Sequence, residues 1–320
     1  MGEILALGSA LSFGISSIFI GRAAVKNGKT DRDLGLLITI LINVVISSAA
    51  FIVYVCVKGL TPVSPVAVVY FILVGVFSSF LGRALFFEGI TYIGPARSSA
   101  IKLFGPVFTI FVGVVFLKET LSLLSWTGLL VVLGGLLVVA WETVLREKRE
   151  NPEKRDILAK ELILKGDSGK LLDRRNIKGV ILGLMAGSSY GTATVFRRLG
   201  MQADPNPFLG TWIAFITSLS LYLPYMYRLY GWKRLVAAIK GAIDINYLYS
   251  GIFTGAAQFQ ILLSLNYIGI GIANTLLNTD AVFTAVIGYF ILGNRERINH
   301  YTVFGVISVT VGVFMILAGK

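Results

Sequence analysis

Long apolar stretches separated by short polar breaks run the length of the chain. The alternation predicts ten helices, over 3–25, 34–57, 65–87, 94–117, 122–145, 176–198, 207–228, 245–267, 270–292 and 299–319. A bilayer core about 30 Å thick needs roughly 20 apolar residues per crossing, and each run comes close to that length. Most connections are short. The exception is "REKRENPEKRDILAKELILKGDSGKLLDRRN" (146–176), charged throughout, which divides the chain nearly in half. The organisation this predicts is five helices in 1–145, a charged linker at 146–175, and five helices in 176–320.

The two halves repeat one another. "TYIGPARSSAIKLFGPVFT" (91–109) lies over "NYIGIGIANTLLNTDAVFT" (266–284) at a constant offset of 175, with YIG and VFT kept in both. Two extra residues shift the offset to 177, after which Glu119 meets Glu296, Gly128 meets Gly305 and Gly135 meets Gly312. The same offset of 177 sets "SFGISSIF" (12–19) over "SYGTATVF" (189–196). Because five is odd, two five-helix repeats in one membrane run in opposite senses, the inverted-repeat plan of many secondary transporters. The fold class expected is an all-α polytopic membrane protein built from two inverted five-helix repeats.

Composition agrees and removes other classes. Of 320 residues, 55% are hydrophobic and 14% charged, and mean hydropathy is +0.78; soluble domains carry about 25% charged residues. The first apolar run lacks a basic n-region and a small-residue cleavage site, so it is expected to be the first spanning helix rather than a signal peptide. One cysteine, Cys56, and one histidine, His300, leave no intramolecular disulfide, thiolate cluster or multi-His site to expect. The net charge of +12 suits basic loops facing anionic headgroups better than nucleic acid. "GKT" at 28–30 lacks the preceding glycine-rich loop of a nucleotide site, and no HExxH, GxSxG or carboxylate cluster suggests an enzyme. No cofactor or metal is expected.

The block "GPVFTIFVGVVFLKETLSLLSWTGLLVVLGGLLVV" resembles the EamA-type repeat of the drug/metabolite transporter superfamily. The shared pattern is a Pro in the fourth helix, a Gly-rich run, a short loop with Glu, and a Gly-containing fifth helix. The resemblance covers both halves, all but the linker. It implies a ten-helix exporter or exchanger of small metabolites in the cell membrane, with a central cavity lined by helices 1, 3, 4, 6, 8 and 9. The second half departs from the pattern, since Ala281 replaces the Pro and "GNRERI" is longer than "KETL".

Ionisable residues within a membrane cost roughly 2.5–3.5 kcal/mol each on insertion scales and usually face a cavity or a partner. Arg83, Glu88 and Arg97 lie near predicted helix ends, where they can snorkel or pair. Lys102 and Asp280 lie deeper. Ser98, Lys102, Gly105, Pro106 and Thr109 share one sector of helix 4 about 100° wide. The repeat maps this sector onto Ala273, Leu277, Asp280, Ala281 and Thr284, so Lys102 and Asp280 are expected to face one central space from opposite halves. They either lock the two helices together as a salt bridge or bind cargo. In the second case Lys102 attracts an anionic group, and Asp280 takes a coupling proton, a cation or a substrate amine. Arg83 maps onto Gln258. With Ser12 and Ser16 of helix 1 and Tyr190 and Thr194 of helix 6, these complete a candidate substrate-binding set. Asn274 and Asn278 fall on a neighbouring face of helix 9 and suit packing. Pro106 interrupts the helix 4 ladder and is a candidate hinge. Gly128, Gly135, Gly305 and Gly312 suit close helix packing, within one chain or across a homodimer. Trp126, Trp141 and Trp212 suit interfacial anchoring.

Orientation draws two opposed arguments. Lys and Arg number four, eleven, four and two in the odd connections, counting Lys178 with the linker, against five in the even connections and C-terminus. The positive-inside rule then places both termini outside. "YRLYGWKRLVAAIKGAI" (227–243), with Trp232, Leu235, Val236 and Ile239 on one face among basic residues, has the pattern of an interfacial helix on the linker side. The resemblance implies cytoplasmic termini. The function expected is secondary transport of a small anionic or zwitterionic metabolite such as an amino acid or organic acid, in contact with membrane lipid. The alternatives are proton-coupled efflux of cationic or hydrophobic compounds, and a non-transporting scaffold or lipid-handling protein.

Overall fold

The computed structural model describes residues 1–59, 62–108, 122–150, 168–241, 244–268, 273, 276–292 and 300–319. Among these, every regular element is a helix. In chain order they are α1 (Gly2–Lys58), α2 (Pro65–Val74), a π-helical segment (Gly75–Gly82), α3 (Arg83–Ile93), α4 (Pro95–Lys102), α5 (Leu123–Glu150), α6 (Ser168–Ala203), α7 (Pro207–Gly241), α8 (Ile245–Ser264), α9 (Asp280–Leu292) and α10 (His300–Ala318). Five described stretches are long and apolar enough to cross a membrane: Gly2–Ala23, Asp33–Lys58, Pro65–Ile93, Asn176–Ala203 and Pro207–Lys233.

Local chemistry sets the helix starts. Pro65 and Pro95 open α2 and α4, and Pro207 opens α7, positions where the missing N–H costs nothing. The Asn206 side chain accepts from the amides of Phe208 and Leu209, both at 3.1 Å, and Asp244 accepts from Asn246 at 2.9 Å. At Gly231 the backbone turns to φ 68°, ψ 157°, which a side chain would disfavour. Beyond this kink Leu235 is buried while Trp232 stays exposed, so the expected single apolar face is divided.

The helix order shows the inverted repeat directly. The first span of α1 lies antiparallel to α8: Ser9 donates to the Ala257 carbonyl at 2.7 Å, and Phe19 packs on Tyr249. The second span runs parallel to α8, with Gly35 against Tyr247 and Asn43 against Gly255. The chain therefore changes direction between Ala23 and Asp33. The symmetry-related contact, α6 against α2 and α3, is also antiparallel: Gly200 meets Phe71, and Gly179 meets Ile93. Helices α5 and α10, fifth in each repeat, pack antiparallel through the predicted glycines. A methyl on Gly135 would lie 2.9 Å from the Gly305 carbonyl, and one on Gly312 would lie 2.7 Å from that of Gly128. This glycine face is filled within one chain.

Two stretches differ from the expected continuous helices. Helix 3 passes through the π segment, whose Gly75, Ser78, Ser79 and Gly82 are buried. A π register loosens the backbone ladder, and here two serines accompany it. Ser189 donates to the Phe77 carbonyl at 2.6 Å, and Ser218 donates to that of Ser79 at 2.8 Å. Helix 9 is not continuous either. Asn278 and Thr279 form a turn, Thr279 N–H bonds to the Leu276 carbonyl at 3.2 Å, and α9 starts at Asp280. Trp212 packs inward as well as lying near a helix end: its ring stacks on Phe51 at 4.9 Å and its Nε1 donates to Ser48 at 3.1 Å.

The α5–α10 crossing gives a direct test. Gly134 has nothing within 4 Å of an added methyl, whereas Gly135 meets Val309 at 2.7 Å and backbone behind it. Gly135→Ala should therefore destabilise the purified protein by about 1–3 kcal/mol. Gly134→Ala should be neutral or stabilising by up to about 1 kcal/mol, through helix propensity alone. Thermal unfolding followed by size exclusion separates the two; equal melting temperatures would contradict the packing.

Candidate functional site

Helix α4 ends at Lys102, and α9 begins at Asp280. Each charge thus sits at the helix end whose dipole favours it, a cation at a C-terminus and an anion at an N-terminus. Pro106 explains the first break. It has no N–H for the carbonyl of Lys102, four residues earlier, and Leu103 turns tightly, its N–H bonding to the Ala100 carbonyl at 3.1 Å. The freed Lys102 carbonyl faces Gly187, where a methyl would come within 2.6 Å of it.

The two charges meet. Lys102 Nζ donates to Asp280 Oδ2 in a salt bridge joining the two repeats, with side-chain exposures of 17% and 3%. Lys102 Nζ also lies 4.9 Å from the Phe86 ring centroid and 5.8 Å from that of Tyr190, where aromatic faces add cation–π attraction. The repeat explains the depth of Asp280. A methyl on Gly105 would touch the backbone of Gly187 and Gly191, and one on Gly14 would touch the Asp280 carbonyl and Thr284 amide. Gly105 maps onto Asp280 and Gly14 onto Gly191, so these are one close helix contact built twice. Only the second copy carries a carboxylate.

The other predicted residues divide into two groups. Tyr190 belongs to the centre: its ring lies 5.8 Å from Lys102 Nζ and packs edge-on to Phe86. Thr284 lies one turn beyond Asp280 and donates to that residue's carbonyl at 2.7 Å; Thr194 does the same to Tyr190 at 3.0 Å. Ser12 and Ser16 instead join α1 to α8. Ser12 donates to Gln260 at 3.3 Å, and Ser16 Oγ lies 2.8 Å from both the Ser250 and Thr254 hydroxyls. Thr109 and Asn274 fall outside the described residues.

Arg83 does not snorkel. It is only 5% exposed, with its Cζ 5.8 Å from the Phe215 ring centroid. Glu88 does pair, with Lys178 at 3.0 Å. The residue that sequence reading missed is Arg197, counted there as a loop cation. Helix α6 runs on to Ala203, and Arg197 is 7% exposed within it, lining a small cleft with Ser79, Thr211, Phe215 and Gln258. Its Nη2 donates to Gln258 Oε1 at 3.4 Å. The removal of Arg197 lowers the even-side charge tally from five to four. Among the described residues no group of three or more His, Cys, Asp or Glu side chains gathers to hold a metal.

The family model for EamA-like transporters matches this chain twice, over residues 1–141 and 177–318. The chain belongs to the EamA-like transporter family. As an EamA-like protein it is a multi-pass membrane protein of a transporter family, and the Lys102–Asp280 pair lies where its two repeats meet. One solved structure, described as "Crystal structure of protein", is similar over 98% of this chain and 98% of its own, at 14% identity and a TM-score of 0.48. No curated protein matches the chain.

The EamA-like pair makes a stability prediction. Removing one partner of a buried ion pair strands the other charge, at a cost of about 3–5 kcal/mol, whereas replacing both with apolar groups is often neutral. Lys102→Met and Asp280→Leu should each lower the melting temperature of the purified transporter, and the double variant should recover most of the loss. Additive losses in the double variant would contradict the pairing.

Proposed function

We propose that the protein is a secondary transporter of a small anionic or zwitterionic metabolite, such as an amino acid or organic acid. It exports or exchanges its cargo by alternating access, the two repeats moving about the Lys102–Asp280 seam. The observation that carries this reading is the buried charge balance. Among the described residues, Arg83 and Arg197 are buried and Lys102 is partly buried, against one buried carboxylate, Asp280. A surplus of cations in a medium that penalises unpaired charge favours negative cargo. Efflux of lipophilic cations would want the reverse balance, with an unpaired acid. Asp280 already has Lys102 as its partner, so a proton or substrate amine arriving there competes with the lysine, which ties cargo or coupling ion to movement of the seam.

Counterflow into proteoliposomes tests the reading with mixed metabolites as trans cargo. The expected result is saturable exchange of an anionic or zwitterionic compound and none of lipophilic cations. Exchange of cations alone, or of nothing, would overturn it.

A further inference from the structure

We infer that Arg83 and Arg197 form a subsite for one small dianion, a dicarboxylate or a phosphate, distinct from the Lys102–Asp280 pair. The inference rests on the anionic-cargo reading and narrows it to a doubly charged ligand. Both guanidinium groups are buried. Neither has a carboxylate partner among the described residues, and Arg83 Nη1 and Nη2 and Arg197 Nε have no hydrogen-bond partner there at all. One unsatisfied buried cation is costly; two close together also repel each other.

Both groups border the Phe215 ring. Helices α3 and α6 run antiparallel, and side chains on a helix lean towards its N-terminus. Arg83 thus leans back towards Ser79, and Arg197 leans back towards Ala193. The two therefore lean towards each other. Phe215 supports the convergence, since it lies beneath the Arg83 guanidinium and also lines the cleft beside Arg197.

The chemistry fits a dianion. A guanidinium presents donors in a planar fork that matches carboxylate and phosphate oxygens two at a time. Five N–H donors per arginine against one long bond to Gln258 leave ample capacity for four ligand oxygens. Two positive charges balance two negative ones, whereas a single carboxylate leaves one guanidinium still unanswered. Gln258 stands at the repeat position of Arg83, so both repeats place a donor at this level, and an amide discriminates little between the two headgroups. As it stands the cleft holds about 10 Å³, room for roughly one water. The ligand enters when the repeats separate, and its charge then draws them together.

The full-length protein in detergent, in buffer free of other dianions, is titrated calorimetrically with succinate, inorganic phosphate and acetate. Succinate or phosphate should bind saturably, at least tenfold more tightly than acetate. Arg83→Met and Arg197→Met should each weaken the dianion at least tenfold and leave the melting temperature of the ligand-free protein unchanged or raised, because each removes an unanswered charge. No binding of either dianion, acetate binding as tightly, or wild-type affinity in the variants would overturn the subsite. So would failure of both variants to fold, which would make the guanidinium groups structural. Added phosphatidylglycerol should leave succinate affinity unchanged; competition by the lipid would assign the arginines to a headgroup and overturn a soluble ligand. If counterflow moves an anion while the methionine variants bind as wild type, the transport reading stands and the subsite falls. If the variants lose dianion binding while counterflow moves no compound, the subsite stands and the transport reading falls.

Discussion

A charge placed inside a hydrocarbon layer must be answered, and the centre of this protein is organised by how Lys102 and Asp280 are answered. They are paired with each other, but the pairing depends on two helix breaks. Pro106 ends α4 at the lysine, and the turn at 278–279 starts α9 at the carboxylate. Continuous helices would have placed both charges mid-ladder, without the favourable ends of the helix dipoles. Discontinuous helices at the repeat interface are also where membrane transporters place substrate and coupling ions. The same geometry therefore serves stability and keeps the polar groups of the seam where protein, rather than lipid, surrounds them.

Around that centre the repeats are held by close backbone approach. Lipid is as apolar as leucine, so helices in a membrane gain little by burying apolar side chains and instead associate through tight packing and hydrogen bonds. The glycines of α5 and α10 supply one such contact, Gly105 with Gly187 and Gly191 a second, and Gly14 with the start of α9 a third. Ser9 and Ser16 add hydroxyl bonds between α1 and α8. The contacts at Gly105 and Gly14 are symmetry mates, and the difference between them, Gly105 against Asp280, makes the two halves of the site chemically unequal. Among the described residues, buried or partly buried positive charge lies on helices 3, 4 and 6, and buried negative charge on helix 9.

Much of this was legible in the residues. A constant offset between halves reports the repeat because equivalent positions meet equivalent neighbours. It also brings Lys102 and Asp280 together because both lie on one mapped helix sector. Three features were not legible, each for a physical reason. Arg197 stands beside Arg198 near a helix end, and sequence alone does not tell a buried guanidinium from one in a loop. The π segment has ordinary apolar and small residues, and its altered register follows from what packs against it. The break before Asp280 has no proline, since Ala281 stands where the first repeat has Pro106. That turn is inherited from the architecture rather than imposed by the local residue. Ser12 and Ser16 are polar residues on an inward helix face whose hydroxyls bond α1 to α8.

If the central pair serves the cargo and not the fold alone, removing both charges together should spare the fold and stop transport. Counterflow by the Lys102→Met/Asp280→Leu double variant measures this most directly, in proteoliposomes holding equal amounts of folded protein. The expected result is a well-folded protein with counterflow at least tenfold below wild type. Counterflow at the wild-type rate would show that the pair only locks α4 to α9.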